Sequence, residues 1–198
     1  MSREVLMALC AFAVVGSITP GPSNFMLLAS GANFGFVRTI PQILGIAAGL
    51  GTLLLGVGLG LGVLLTTVPA LHLALKAGGA AYLLYLAWRL GTARSMGHGG
   101  AASARPLGFM EAAAFQWVNP KAWFAAITAM AIYANAEAPF LSVVFVSLIF
   151  AATVLPSLAV WAGFGVTLRD VLSDPTRLKW FNIAMGVLLA ATLLPMLG

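Results

Sequence analysis

Apolar residues run through this chain in six long stretches, 5–30, 39–66, 69–89, 108–133, 139–165 and 178–197, with short polar breaks between them. A hydrocarbon core needs about 20 residues of apolar helix, so each stretch predicts a membrane-spanning α-helix. The third is shorter if it begins after Lys76. Only one break is sizeable. Residues 91–106 are rich in glycine, serine and alanine and read as a flexible linker. It divides a single membrane domain, 1–198, into two three-helix halves, 1–90 and 107–198.

Two stretches carry helix breakers in their interiors: Thr19-Pro20-Gly21-Pro22 in the first and Asn119-Pro120-Lys121 in the fourth. Proline lacks an N–H and clashes with the preceding turn, so each motif frees backbone polar groups at a depth without water. Such backbone persists where protein buries it or where it lines a cavity. A pair of interruptions at matching places in two halves is the mark of a transporter's substrate site. The halves match elsewhere too. Pro20 and Pro120 are 100 residues apart, Leu75-Lys76 and Leu178-Lys179 are 103 apart, and Gly79 and Gly186 follow within two turns. Three crossings reverse the side of insertion, so two such repeats are inverted. The expected fold is an all-α polytopic membrane protein of six transmembrane helices, in two inverted three-helix repeats with broken first and fourth helices.

Composition agrees. Of 198 residues, 61% are hydrophobic and 8% charged, and the mean hydropathy is +1.02, whereas a soluble domain is about a quarter charged. The net charge of +5 does not point to nucleic acid, because the cations lie at span ends and form no basic patch with interleaved aromatics. Outside Lys121, lysine and arginine number two beside the termini and even loops and seven beside the odd loops. That asymmetry places the odd loops and the 91–106 linker in the cytoplasm and both termini outside. Arg3 and the apolar run after it resemble a signal peptide, but no small-x-small cleavage site follows, and the run continues to Ala29 as a retained span. A single cysteine, Cys10, gives no disulfide framework, and no metal or cofactor site is expected.

In the first span Ser17, Thr19, Ser23 and Asn24 surround Pro20-Gly21-Pro22. Gly21 lets the backbone turn, and the helix resuming at Pro22 presents N–H groups and about half a positive charge to a carboxylate, with Asn24 as a further donor. The alternative is an ordinary proline kink whose hydroxyls bond their own backbone. Lys121 lies about thirteen residues from either end of the fourth span. An ammonium there costs about 2.5–3.5 kcal/mol, which makes it a functional candidate: a carboxylate ligand or a proton carrier. The alternative is a lysine that snorkels or pairs with a backbone carbonyl. Gln116 and Asn119 lie within a turn, and a regular helix would also bring Trp117 onto its face to support the cation. Glu111, near the start of the same span, is either a proton carrier or a group facing headgroup water. Glu137, Asp170 and Asp174 read as solvated loop residues. Gln42 and Thr52 either line a cavity or bridge helices.

Small residues at Gly45, Gly49, Gly56 and Gly60 repeat within the second span. A nucleotide loop would follow a strand, so this is a close-packing surface, between sliding halves or in a dimer. His72 and His98 have no paired carboxylate, and no serine–histidine or zinc-ligand arrangement exists, so no enzyme is expected.

These motifs in order, Thr19-Pro20-Gly21-Pro22-Ser23-Asn24, Gly31-Ala32-Asn33-Phe34-Gly35-Phe36, the segment from Gly79 to Trp88, and Phe115-Gln116-Trp117-Val118-Asn119-Pro120-Lys121, resemble the LysE/RhtB family of amino-acid exporters along essentially the whole chain. Within it, the third span and the Gln116–Lys121 region look most like the branch exporting cysteine and O-acetylserine. The resemblance implies efflux across a bacterial inner membrane, proton exchange as the driving force, and a homodimer. Some relatives carry an acid directly after the Pro-Gly-Pro motif; here Ser23-Asn24 stand there, which argues for a neutral substrate or another proton carrier. The reading is therefore a secondary exporter of small amino acids or their derivatives. Its site comprises Thr19, Pro20, Gly21, Pro22, Ser23, Asn24, Gln116, Asn119, Pro120 and Lys121, with Lys121 or Glu111 coupling a proton. The rivals are a non-transporting assembly module and a passive channel.

Overall fold

The computed structural model describes residues 2–62, 67–93, 105–135 and 137–194. Within them the chain is all helical, with eight α-helices and no strand. They are α1 (Arg3–Ile18), α2 (Pro22–Phe34), α3 (Phe36–Gly56), α4 (Pro69–Gly91), α5 (Phe109–Val118), α6 (Pro120–Tyr133), α7 (Pro139–Thr167) and α8 (Pro175–Ala191). A π-helical stretch, Val57–Leu61, extends α3, and a 3-10 turn, Val171–Ser173, precedes α8.

Proline sets most of the starts. α2, α4, α6, α7 and α8 all begin with it, where its missing N–H would be unpaired anyway and its φ is already helical. Pro41 and Pro156, by contrast, lie inside continuous helices. At Gly35 the chain passes from α2 into α3 with φ +85°, a conformation that favours glycine. α8 starts on Asp174, whose carboxylate accepts from the N–H groups of Thr176 and Arg177, each at 2.9 Å.

The helices expected to be broken are broken. α1 and α2 meet at 62° across Thr19–Gly21, and α5 and α6 are separated by Asn119 alone. Among the described residues two helical segments, Phe36–Leu61 and Pro139–Thr167, are individually long and apolar enough to cross a membrane, and the bent pair α1–α2 makes a third if it is one span. Helices α5 and α6, of 10 and 14 residues, are each shorter than a crossing requires, and α8, of 17, is at the lower limit. Most of the expected linker, residues 94–104, lies outside the described residues.

The main pairings are α2 on α7, α3 on α5 and α7, and α4 on α8. All cross between the two halves, so neither half buries its apolar face alone. Glycines set the approach. A Cβ on Gly45 would lie 2.3 Å from Phe109 O, and one on Gly49 2.4 Å from Ala113 O. Gly45 and Gly49, in the small-residue face of the second stretch, thus pack on α5 of the same chain, whereas a Cβ on Gly60 would meet nothing within 4 Å. Across α2 and α7 a Cβ on Gly31 would lie 2.0 Å from Ala162 O, and one on Gly165 2.1 Å from Leu28 O. α2 is buried along most of its length, whereas in α1 only Leu9 and Ala13 are.

Candidate functional site

A helix break leaves carbonyls without partners, and here side chains supply them. α1 stops at Ile18 because Thr19 turns extended, φ −61° and ψ 131°, ahead of Pro20. The Asn24 amide donates to Ser17 O at 2.8 Å and to Thr19 O at 2.7 Å. The indole of Trp161, on α7, donates to Ile18 O at 3.2 Å. The Lys121 ammonium reaches across from the other break to donate to Thr19 O, with Pro20 O at 3.4 Å. At the second break the Trp123 indole donates to Trp117 O at 2.7 Å, and Asn119 caps α6 by accepting from the Lys121 N–H at 3.1 Å. In a medium without water each of these carbonyls would otherwise be costly.

Between the breaks lies a buried polar trio. Ser23 and Gln116 are hydrogen-bonded at 3.3 Å, and the Asn119 amide donates to Ser23 Oγ at 3.2 Å. All three are less than a tenth exposed. They border a cavity of about 220 Å³, which Thr19, Gly21, Asn24 and Lys121 also line. Seven of the ten residues singled out in the sequence therefore meet at one cavity; Pro20, Pro22 and Pro120 shape the breaks that bring them there.

The roles are more specific than the sequence suggests. Both amide hydrogens of Asn24 are committed to carbonyls, which leaves Oδ1 for a ligand. At the start of α2, Pro22 has no N–H, and those of Asn24 and Phe25 both bond Gly21 O at 3.0 Å, so Ser23 has the N–H that this end can offer an anion. The break at Asn119 also changes the register after Trp117. Its ring packs edge-on against Trp123, centroids 6.4 Å apart, and its N–H donates to Thr52 Oγ1 at 3.2 Å. The regular-helix pairing of Trp117 with Lys121 is replaced by these contacts. Thr52 is therefore an interhelical bridge.

Glu111 lies elsewhere. Its carboxylate accepts from Arg105 at 2.6 and 2.8 Å and from the Gly108 N–H at 2.8 Å, and Arg89 Nη1 is 3.9 Å away. The paired carboxylate in turn raises the pKa of Arg105. Carrying a proton on Glu111 would cost at least one of its bonds from Arg105 and the charge that pairs with the arginines. The residue borders a second cavity, of about 610 Å³.

Three contributors escaped the sequence reading: Trp123, Trp161 and the pair Asn33 with Asn182. The asparagines exchange side-chain hydrogen bonds at 2.9 and 3.2 Å between α2 and α8 and are almost fully buried. Trp123 had a usable signal, since tryptophan favours the membrane interface and this one lies midway along its stretch. Among the described residues no group of His, Cys, Asp or Glu could hold a metal ion.

The family of LysE type translocators matches residues 14–193. Proteins described as cysteine/O-acetylserine efflux proteins from Escherichia coli (strain K12), Shigella sonnei (strain Ss046) and Shigella flexneri are each 29% identical to the chain over 190 residues, which is 96% of this chain and 95% of theirs. No solved structure matches. A match over nearly the whole length, on a frame of apolar helices with paired breaks, means that this chain belongs to the LysE type translocator family and is a membrane transporter, not an enzyme.

Proposed function

We propose that the protein is a secondary-active exporter of small amino acids or their derivatives, driven by proton exchange, in a bacterial inner membrane. The observation that carries this is the meeting of two broken helices at one cavity, apolar over most of its wall, where carbonyls freed by the first break face an ammonium from the second. The cavity volume of about 220 Å³ lies below the roughly 300–1,000 Å³ of drug-sized pockets, which suits a small ligand. The relatives' efflux of cysteine and O-acetylserine makes a small neutral amino acid the first candidate.

In this reading the substrate ammonium takes the place of Lys121 on the Thr19 and Pro20 carbonyls. The displaced lysine ammonium meets the substrate carboxylate, and Ser23, Gln116 and Asn119 complete the polar wall. Lys121, not the arginine-paired Glu111, is then the proton-coupling group. Six spans arise if α1–α2 and α5–α6 each form one crossing and α4 and α8 complete the two inverted repeats. The charge asymmetry then puts both termini outside, and the transporter works as a homodimer. A periplasm-only reporter should be active when fused after Gly198; activity only from a cytoplasmic reporter would reverse the orientation or change the span number.

The deciding experiment is uptake of labelled amino acids into inside-out vesicles, with and without a pH gradient. Saturable accumulation that disappears with the gradient is the expected result. Gradient-independent, non-saturable flux would make the protein a passive channel. No flux of any amino acid through inserted protein would leave the assembly module.

A further inference from the structure

Polar groups enter the cavity at the helix breaks from the breaks themselves. Among its lining residues Lys121 alone is ionisable, and no carboxylate stands on the wall. Ser23, Gln116 and Asn119 bond one another. Ser17 and Thr19 also line it, but their O–H groups donate within α1, to Val14 O at 3.0 Å and Val15 O at 2.7 Å. Most of the remaining wall is apolar and comes from three helices: Phe12 on α1, Ile46 and Leu50 on α3, and Phe150, Val154 and Leu158 on α7.

This apolar wall leads away from the first break. The Trp161 indole ties α7 to Ile18 O, at the end of α1. Six residues earlier, about 9 Å back along α1, Phe12 packs edge-on against Phe150, with centroids 5.9 Å apart. Tyr133 backs Phe12 at 6.1 Å. A hydroxyl or a charge brought between these rings would leave water without gaining a partner. A methylene there gains the full transfer from water, about four-fold in affinity.

Gly16 stands on the same wall, between Phe12 and the break. Residues four apart share a helix face, and the face of Phe12 and Gly16 is the one on which Leu9 and Ala13 are buried. Glycine weakens a helix interior, so it needs a reason to be there. Close packing is not the reason, since a Cβ on Gly16 would meet nothing within 4 Å. What the missing side chain leaves is room in the cavity.

We infer that the apolar end of this cavity receives the substrate's side chain, that the substrates are neutral amino acids with an aliphatic side chain, and that Gly16 sets the length admitted. The inference rests on the exporter reading and deepens it. With the substrate ammonium on the Thr19 and Pro20 carbonyls and its carboxylate at Lys121, the side chain lies between Phe12, Gly16 and Phe150.

The test is saturable uptake into inside-out vesicles, normalised to inserted protein, of L-alanine, L-2-aminobutyrate and L-norvaline, which grow by one methylene at a time. In the wild type KM should fall about four-fold at each step. L-homoserine, which has a hydroxyl where norvaline has its terminal methyl, should have a KM at least about ten-fold above norvaline's. Gly16→Val should raise the norvaline KM about ten-fold and leave that of alanine within about two-fold. A KM that stays level along the wild-type series, or a homoserine KM equal to norvaline's, would overturn the apolar receptor and leave the exporter reading intact. Equal effects of Gly16→Val on alanine and norvaline would remove Gly16 from selection, and the wild-type series decides the receptor even if that variant does not insert. No uptake of any small amino acid by inserted wild type would overturn the exporter reading and this inference together.

Discussion

The aliphatic stem of Lys121 lies across Gly21, so that a Cβ on the glycine would sit 2.8 Å from Lys121 Cδ and 3.1 Å from Nζ. Gly21 is extended, φ −175° and ψ 179°, a conformation any residue adopts. The requirement for glycine comes from the lysine's space and not from backbone strain. Gly21→Ala should therefore insert and fold, losing no more than about 1 kcal/mol, while pushing the ammonium off the Thr19 and Pro20 carbonyls. Export per inserted molecule should fall at least about ten-fold. Export at the wild-type rate would detach the lysine's position from function.

The α2–α7 contact predicts a sharp contrast between two glycines. A methyl group on Gly31 would meet Ala162 O at 2.0 Å, whereas one on Gly163 would have nothing within 4 Å. Gly31→Ala must separate two helices and should cost about 3 kcal/mol or more. Gly163→Ala should be neutral or slightly stabilising. Thermal unfolding in detergent would decide, and equal melting temperatures for the two variants would mean that the close approach of these helices is not maintained.

Replacing Trp161 or Trp123 by phenylalanine keeps most of the ring and removes the N–H that serves Ile18 O or Trp117 O. Each exchange should cost about 1 kcal/mol, the net worth of one hydrogen bond. The loss should exceed that of Trp180→Phe, whose indole is 61% exposed. The comparison is of melting temperatures, and a Trp180 effect equal to the other two would show that ring packing alone accounts for the change.

Asn33 and Asn182 satisfy each other across 149 residues of sequence. Changing either to leucine strands its partner, while changing both removes the polar demand together. A double-mutant cycle should give a coupling of about 0.6 kcal/mol, the average for hydrogen bonds between membrane helices, and no more than about 1.7 kcal/mol. Additive losses would show that the two amides are satisfied independently.

The apolar stretches and both breaks were legible because their causes are local: proline removes an N–H wherever it stands, and an apolar run declares itself within its own window. The partners of the freed carbonyls were not legible. Trp161 reaches Ile18 from 143 residues away, and Lys121 reaches Thr19 from 102, so only helix packing decides which donor meets which acceptor. Gln42 and Thr52 looked equivalent as sequence and part company in the fold, one with its Oε1 buried without a partner, the other accepting from Trp117. The length of Pro120–Tyr133, 14 residues, also explains why a six-span reading depends on joining α5 to α6.

Thr19 and Pro20 present carbonyl oxygens of the kind that strip water from alkali ions in selective pores. In this protein the Lys121 ammonium occupies them. Lys121→Ala should then both lose export and admit sodium or potassium, read as decay of an ion gradient in proteoliposomes; a tight variant would mean that the carbonyls close without it. On the proposed reading, a tethered cation that yields to a substrate's ammonium, but not to a bare metal ion, would let a cell keep its ionic gradients while the exporter idles.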